Sequence, residues 1–241
     1  MITIERAPER PADHTPDSGN PGANRGDGAK AAKEDDYAMM REVLERRQRV
    51  LGDEHFSTVL SMGNLGAALI EHGDLEEAEP LTRAALAGYQ ARFGETHSNT
   101  LVLKGNLAYL LEDLGQIDEA AALYRETIDA RRDAQGGLLP ETWAPLNNLA
   151  MLLVKNGRAA EAKPMFAELL GMCEAMLPEN HYYTAIFRNN FADCLIELGE
   201  LDAARDVIDR SQPVLEAVFG PDHERVQRSR ERMARIEALL K

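Results

Sequence analysis

Four asparagines stand 42 residues apart in the chain, at Asn64, Asn106, Asn148 and Asn190. An amide side chain both donates and accepts hydrogen bonds, so it can bind the main chain of a peptide without requiring a particular sequence. Asn147 and Asn189 add a second amide beside the third and fourth of these positions. Two interpretations are open: the amides bind a ligand, or they hydrogen-bond neighbouring helices and set the helix register.

Other side chains share the helix face of these asparagines, and their chemistry differs from one edge to the other. The face is apolar at one edge and largely acidic at the other, with no basic cluster that would bind a C-terminal carboxylate. We therefore expect an extended peptide or a helix with basic and apolar residues. The predicted ligand-binding residues are Asn64, Asn106, Asn147, Asn148, Asn189, Asn190, Tyr109, Met151, Lys104 and Arg188.

Histidine recurs with the same spacing, at His55, His97, His181 and His223. Packed helices lie roughly 8–10 Å apart, whereas a shared zinc ion requires bonds of about 2.1 Å to each ligand. Histidines at equivalent places in successive repeats therefore cannot share a metal ion. We predict that they act at helix entry or in loop packing, and we predict no metal site.

Signals for catalysis are absent from the sequence. It contains no GxSxG, HExxH or phosphate-binding glycine loop, and Cys173 and Cys194 lie among apolar residues, which favours buried structural thiols. We predict no catalytic residue and no cofactor. An enzyme built on the repeats is a remote alternative.

Charge and composition limit the partners. With 27 basic and 41 acidic residues the net charge is −14, which repels a phosphate backbone and argues against nucleic acid as a partner. No apolar run approaches the roughly 18 residues that cross a membrane, and the N-terminal residues lack the apolar stretch of a signal peptide. We expect a soluble, cytoplasmic protein, and the Ala- and Arg-rich repeats suggest a bacterial one.

The elements that position these residues follow from the same 42-residue period. Threonine at 58, 100, 142 and 184, glycine at 73, 115, 157 and 199, and alanine at 78, 120, 162 and 204 keep the spacing. A fixed period of 20–50 residues indicates a solenoid, and each period reads as two helices joined at the glycine. The predicted helices are 35–51, 57–72, 74–93, 98–114, 116–135, 140–156, 158–176, 182–198, 200–219 and 222–240.

Local signals add detail to this prediction. Asp74 is a candidate N-cap, and Glu77 three residues later completes a capping-box pattern. The apolar loop 136–140 precedes Trp143, the only tryptophan. That loop either packs locally or forms an exposed patch for self-association or a partner.

The repeated motifs resemble a known family. The runs Leu146-Asn147-Asn148-Leu149-Ala150 and Glu161-Ala162-Lys163-Pro164, with Gly157 between them, are similar to the 42-residue tetratricopeptide repeats of the kinesin light chain type. The resemblance extends over about residues 37–225. It implies an all-α, right-handed α-solenoid whose first helices line a concave groove, where the repeated asparagine contacts the ligand's main chain.

Together these observations predict a disordered tail over 1–34 and a tetratricopeptide repeat domain over 35–241. Within the domain we predict a half repeat over 35–57, repeats over 58–99, 100–141, 142–183 and 184–221, and a terminal capping helix over 222–241. The predicted function is a scaffold or adaptor that binds a peptide or protein segment in the groove. The alternative is a self-associating structural or regulatory module, a homo-oligomer joined through the first helix or the loop before Trp143.

Overall fold

The computed structural model describes residues 26–135 and 140–241, with side chains described from residue 37 onward except at 134 and 135. These residues form ten α-helices and a short 3₁₀ turn at Pro140–Thr142, and no strand occurs among them. The helices are α1 (Gly26–Leu51), α2 (Phe56–His72), α3 (Leu75–Phe93), α4 (Ser98–Asp113), α5 (Ile117–Gln135), α6 (Trp143–Lys155), α7 (Ala159–Met176), α8 (Tyr182–Glu197), α9 (Leu201–Phe219) and α10 (Glu224–Leu239).

The helices form two compact units that meet in sequence within α5, at Leu123 and Tyr124. In the N-terminal unit, α2 packs between α1 and α3, and α3 packs on α4. In the C-terminal unit, successive helices from α6 to α10 pack on one another, and α8 also contacts α6 and α10. Even-numbered helices are therefore the first helices of their repeats, and odd-numbered helices are the second.

Helix bounds agree with the predicted ones to within two residues, with two exceptions. The predicted helix 140–156 begins with the 3₁₀ turn before α6. The first helix begins at Gly26, nine residues before the predicted start at Asp35. Extending an existing helix needs no new nucleus, and residues 29–34 are Ala, Lys and Glu, which favour helix. The rest of the predicted tail, residues 1–25, lies outside the described residues.

Histidine begins four of the first helices. His55, His97, His181 and His223 each occupy the N-cap, and Nδ1 accepts a hydrogen bond from the backbone N–H two residues later, at 3.1–3.2 Å. This bond satisfies one of the free N–H groups at the start of the helix. The predicted role at helix entry is confirmed.

The turn within each repeat depends on glycine. Gly73 has φ +93°, and its N–H donates to the carbonyls of Leu69 and Ile70, which ends α2. The predicted capping box after this glycine is wrong. Asp74 makes no side-chain cap bond and instead pairs with His72 at 2.7 Å. Glu77 binds a different partner on α1.

That partner is Arg41, whose guanidinium binds both oxygens of Glu77 at 2.7–2.8 Å. One period later, Arg83 binds Glu119 in the same way at 2.8–3.0 Å. Each arginine lowers the pKa of its glutamate below the ordinary value. The pairs are largely exposed, so each contributes at most about 1 kcal/mol. They link the second helices of successive repeats.

Small residues allow the paired helices to approach closely. The alanines at 78, 120, 162 and 204 are fully buried. A Cβ added at Gly66 of α2 would lie 2.7 Å from the Thr82 hydroxyl of α3. Steric fit at these positions therefore sets the distance between the two helices of a repeat.

Aromatic and sulfur-containing side chains complete the core of the C-terminal unit. Trp143 is buried against Tyr183 and Phe187 in edge-to-face contacts, so it is not part of an exposed patch. The apolar loop before it, residues 136–139, lies outside the described residues. Cys173 and Cys194 are fully buried, which confirms the prediction of structural thiols.

The cap at His181 makes the stability of the fold pH-dependent. Burial lowers the pKa of His181 below its ordinary value of 6.5, so the unfolded chain binds the proton more readily than the folded one. The cap bond requires an unprotonated Nδ1. The stabilisation is therefore complete above pH 6.5 and is lost as the pH falls toward the folded-state pKa.

We expect His181→Ala to lower stability by about 0.5–2 kcal/mol at about pH 8, and by less at about pH 5. His181→Asn, which caps without titrating, should be nearly as stable as the wild type at the higher pH. Thermal unfolding followed by circular dichroism at both pH values measures these differences. An alanine deficit that is unchanged at low pH would contradict this account.

Candidate functional site

Three of the predicted site residues form a connected group, the amide cluster, defined as Asn147, Asn148 and Asn190. Asn147 donates from Nδ2 to Oδ1 of Asn148 at 3.3 Å, and Asn190 donates from Nδ2 to Oδ1 of Asn147 at 2.9 Å. The first two lie on α6 and the third on α8. The cluster therefore joins the first helices of two successive repeats.

The amide cluster is partly exposed and keeps unused hydrogen-bonding capacity. Within the described residues, no other side chain binds Nδ2 of Asn148 or Oδ1 of Asn190. One is a donor and the other an acceptor, which are the two groups needed to pair with the N–H and C=O of a peptide main chain. The amides hydrogen-bond each other across helices, in line with a role in helix register. They also keep free groups, as a role in ligand binding requires.

The asparagines of the N-terminal unit are placed differently. Asn64 is partly buried, and its Oδ1 has no partner among the described residues. Asn106 is 1% exposed, and neither of its amide atoms has a partner there. Asn106 is therefore not accessible to a ligand in this conformation.

Asn189 has a structural environment although it neighbours the amide cluster. Its Nδ2 donates to the hydroxyls of Ser211 and Ser229 at 3.2 and 2.8 Å, and its Oδ1 accepts from Arg232 at 2.6 Å. The side chain is buried. This amide thus uses both its donor and its acceptor to hold α8, α9 and α10 together.

The two predicted basic site residues point toward other helices. Lys104 is buried and binds Glu95 at 2.8 Å, and Arg188 is buried and binds Glu174 at 3.2 Å. Both glutamates lie in or near the second helix of the preceding repeat, so these cations are not part of the amide cluster. Tyr109 on α4 is partly exposed, and Met151 on α6 is partly exposed near the amide cluster.

The structure adds basic residues that the sequence prediction missed. The terminal arginines, Arg228, Arg232 and Arg235, lie on α10 at the positions 42 residues after Ile186, Asn190 and Asp193. The expectation of a face without a basic cluster did not take these arginines into account. Continuing the 42-residue register into the capping helix would have found these arginines.

The terminal arginines pair with the acidic edge of the face. Arg232 binds both oxygens of Asp193 at 2.6–2.7 Å, and Arg235 binds Glu197 at 2.8 Å. Arg228 pairs with Glu224 on its own helix. The acidic residues that suggested a basic ligand are thus neutralised within the C-terminal unit.

A cavity of about 710 Å³ lies between α6, α8 and α10. Met151 and Val154 supply an apolar wall, and Asp193, Glu197 and the terminal arginines supply the polar part. A second, small pocket contains Asn190, Arg228 and Arg232. Asn190 and Met151 thus adjoin the terminal arginines on the first-helix side of the C-terminal unit.

No group of three or more potential metal ligands occurs in the part of the chain that the structure describes. None of the described helices is long and apolar enough to cross a membrane.

Comparison with known proteins identifies the fold. A family model described as tetratricopeptide repeat matches residues 37–91, 73–133 and 141–211, and a second model of the same description matches residues 106–174. The chain therefore belongs to the tetratricopeptide repeat family. No curated protein matches the sequence.

Solved structures of kinesin light chain-like repeat proteins have the same fold. One is from Podosopora anserina, described as a kinesin light chain with nearly identical TPR-like repeats, with a TM-score of 0.69 at 19% identity, over 79% of this chain and 90% of that chain. Another is BtubC (BKLC) from P. vanneervenii, with a TM-score of 0.64 at 19% identity, over 87% of this chain and 91% of that chain. The predicted all-α repeat solenoid of the kinesin light chain type is confirmed.

Adjacent asparagines should behave differently when they are replaced. Asn189→Ala removes one hydrogen-bond partner each from Arg232 and from two buried hydroxyls, so we expect a loss of about 1–3 kcal/mol in unfolding free energy. Asn190→Ala removes one partly exposed hydrogen bond and should cost less than about 1 kcal/mol. Urea unfolding followed by circular dichroism compares the two variants. Equal losses would mean that the amide cluster is as structural as Asn189.

Proposed function

We propose that the C-terminal unit binds an extended segment of a partner protein along its first-helix side. The observation that carries this proposal is the amide cluster, which presents a free donor on Asn148 and a free acceptor on Asn190 beside a cavity of about 710 Å³. Main-chain hydrogen bonds to these amides would hold the segment. Its side chains would enter the cavity.

The repeat family supports the general part of this function. Tetratricopeptide repeats make the chain a protein-interaction scaffold in the broad sense. The particular position of the ligand is our proposal, and it rests on the contacts of the amide cluster.

The surroundings of the cavity indicate the ligand's chemistry. Met151 and Val154 favour an apolar side chain. The expectation of a basic ligand loses its support here, because Asp193 and Glu197 already bind Arg232 and Arg235. We therefore propose a ligand with an apolar anchor and little net positive charge.

Catalysis is not part of the proposal. The thiolate is the reactive form of cysteine, and burial raises the pKa of Cys173 to about 12 and that of Cys194 to about 11. Neither residue is therefore a nucleophile at neutral pH.

A peptide selected on the protein tests the site. A phage-displayed library of random peptides is selected on the immobilised full chain, and the enriched peptide is synthesised with a fluorescent label. We expect Asn148→Ala combined with Asn190→Ala to raise the dissociation constant of this peptide at least about tenfold, because two main-chain partners are lost. Fluorescence anisotropy measures the binding.

Asn99→Ala is the matched control, because Asn99 is an exposed asparagine at the start of α4. It should bind the peptide like the wild type. The proposal fails if the double variant also binds like the wild type, or if circular dichroism shows that the double variant is unfolded.

A further inference from the structure

Helix α1 carries an exposed apolar stripe, defined as Met39, Met40, Val43 and Val50. Met39 is 65% exposed and Val50 is 71% exposed, and the other two are each about two-fifths exposed. The spacing of 39, 43 and 50 places these residues along one side of a helix. The stripe has no cover among the described residues.

Met40 and Val43 have buried equivalents in the later repeats, whereas Val50 corresponds to Arg92 and Met176, which are exposed. Val43 corresponds to Ala85, Thr127, Leu169 and Ser211, and all four are fully buried. In the first full repeat, α2 packs against this side of α3, since Gly66 of α2 closely approaches Thr82, the equivalent of Met40. Helix α1 has no such first helix within the described residues, so the side that its sequence makes apolar stays open.

Helix α1 is nevertheless firmly attached to its neighbour. Tyr37 and Leu44 are buried on the adjoining side. Arg41 binds Glu77, and Arg47 binds the carbonyl of Ser57 and the hydroxyl of Ser61 at 2.9 and 2.7 Å. The stripe therefore lies on an ordered helix and not on a frayed end.

Charged residues along one flank of the stripe indicate what covers it. Glu42, Arg46 and Arg49 are exposed or partly exposed, and none forms an ion pair within the described residues. At 100° per residue these three lie on the side of the stripe away from α2. In an antiparallel pair of helices related by a two-fold axis, this flank of one helix faces the same flank of the other helix.

We propose that the stripe pairs with the same stripe of a second copy, antiparallel, to form a homodimer. A register that sets Met39 opposite Val50 of the second copy places Glu42 within one turn of that copy's Arg46 and Arg49. Because of the two-fold axis, the same attraction also occurs between Glu42 of the second copy and the two arginines of the first.

The surface of α10 favours a closed dimer over a chain of copies. The exposed side of α10 is mostly polar and charged, with Gln227, Glu231 and Glu237 among its residues. Such a side does not match an apolar stripe. An isologous contact between two α1 helices uses one surface on each copy and closes at two copies.

Light scattering coupled to size-exclusion chromatography tests the proposal on the full chain. We expect twice the monomer mass for the wild type and the monomer mass for Val43→Glu, because the buried carboxylate raises the dissociation constant more than about tenfold. Leu239→Glu changes a comparably exposed apolar residue at the other end of the chain, and this control should remain dimeric. A monomeric wild type at high concentration overturns the proposal.

Charge reversal tests the antiparallel register. Glu42→Arg alone and Arg46→Glu with Arg49→Glu should each weaken the dimer, and the three changes together should restore it. Circular dichroism confirms that each variant is folded. A dimer that is unaffected by Val43→Glu, or a triple variant weaker than both partial ones, contradicts pairing through this stripe.

Discussion

The structure depends on one packing constraint: a two-helix repeat cannot bury its apolar side alone and must place its first helix between two second helices. Buried alanines such as Ala78 and Ala162 bring the two helices of a repeat together. Where the neighbouring helix is present, the core is closed and fully packed. Where the described residues supply none, as beside α1, an apolar side remains open.

The same constraint positions the candidate site. Because α6 and α8 pack directly on each other, Asn147 and Asn190 come within hydrogen-bonding distance although they are 43 residues apart in sequence. Because the sequence period equals the length of one two-helix repeat, equivalent side chains occupy the same position in each repeat. Polar residues on this side can therefore form a continuous row.

Helix α10 combines polar contacts with apolar packing. Helix α10 takes the place of a further first helix and is attached through Asn189, Ser229 and Arg232 as well as through a few buried apolar residues. Most residues on the outer side of α10 are polar or charged. Helix α10 also changes the chemistry of the site, because it brings arginines to an acidic edge.

The sequence by itself determined the fold class, the helix bounds and the role of the capping histidines, because these depend on local periodicity and on caps formed within a few residues. Only the tertiary structure decided which asparagines are accessible. Asn189 and Asn190 are neighbours in sequence, yet one is buried among three helices and the other is partly exposed. Likewise the pairing of Arg232 with Asp193 joins residues 39 positions apart. Side-chain direction and helix packing set such contacts, and the 42-residue spacing alone does not specify them.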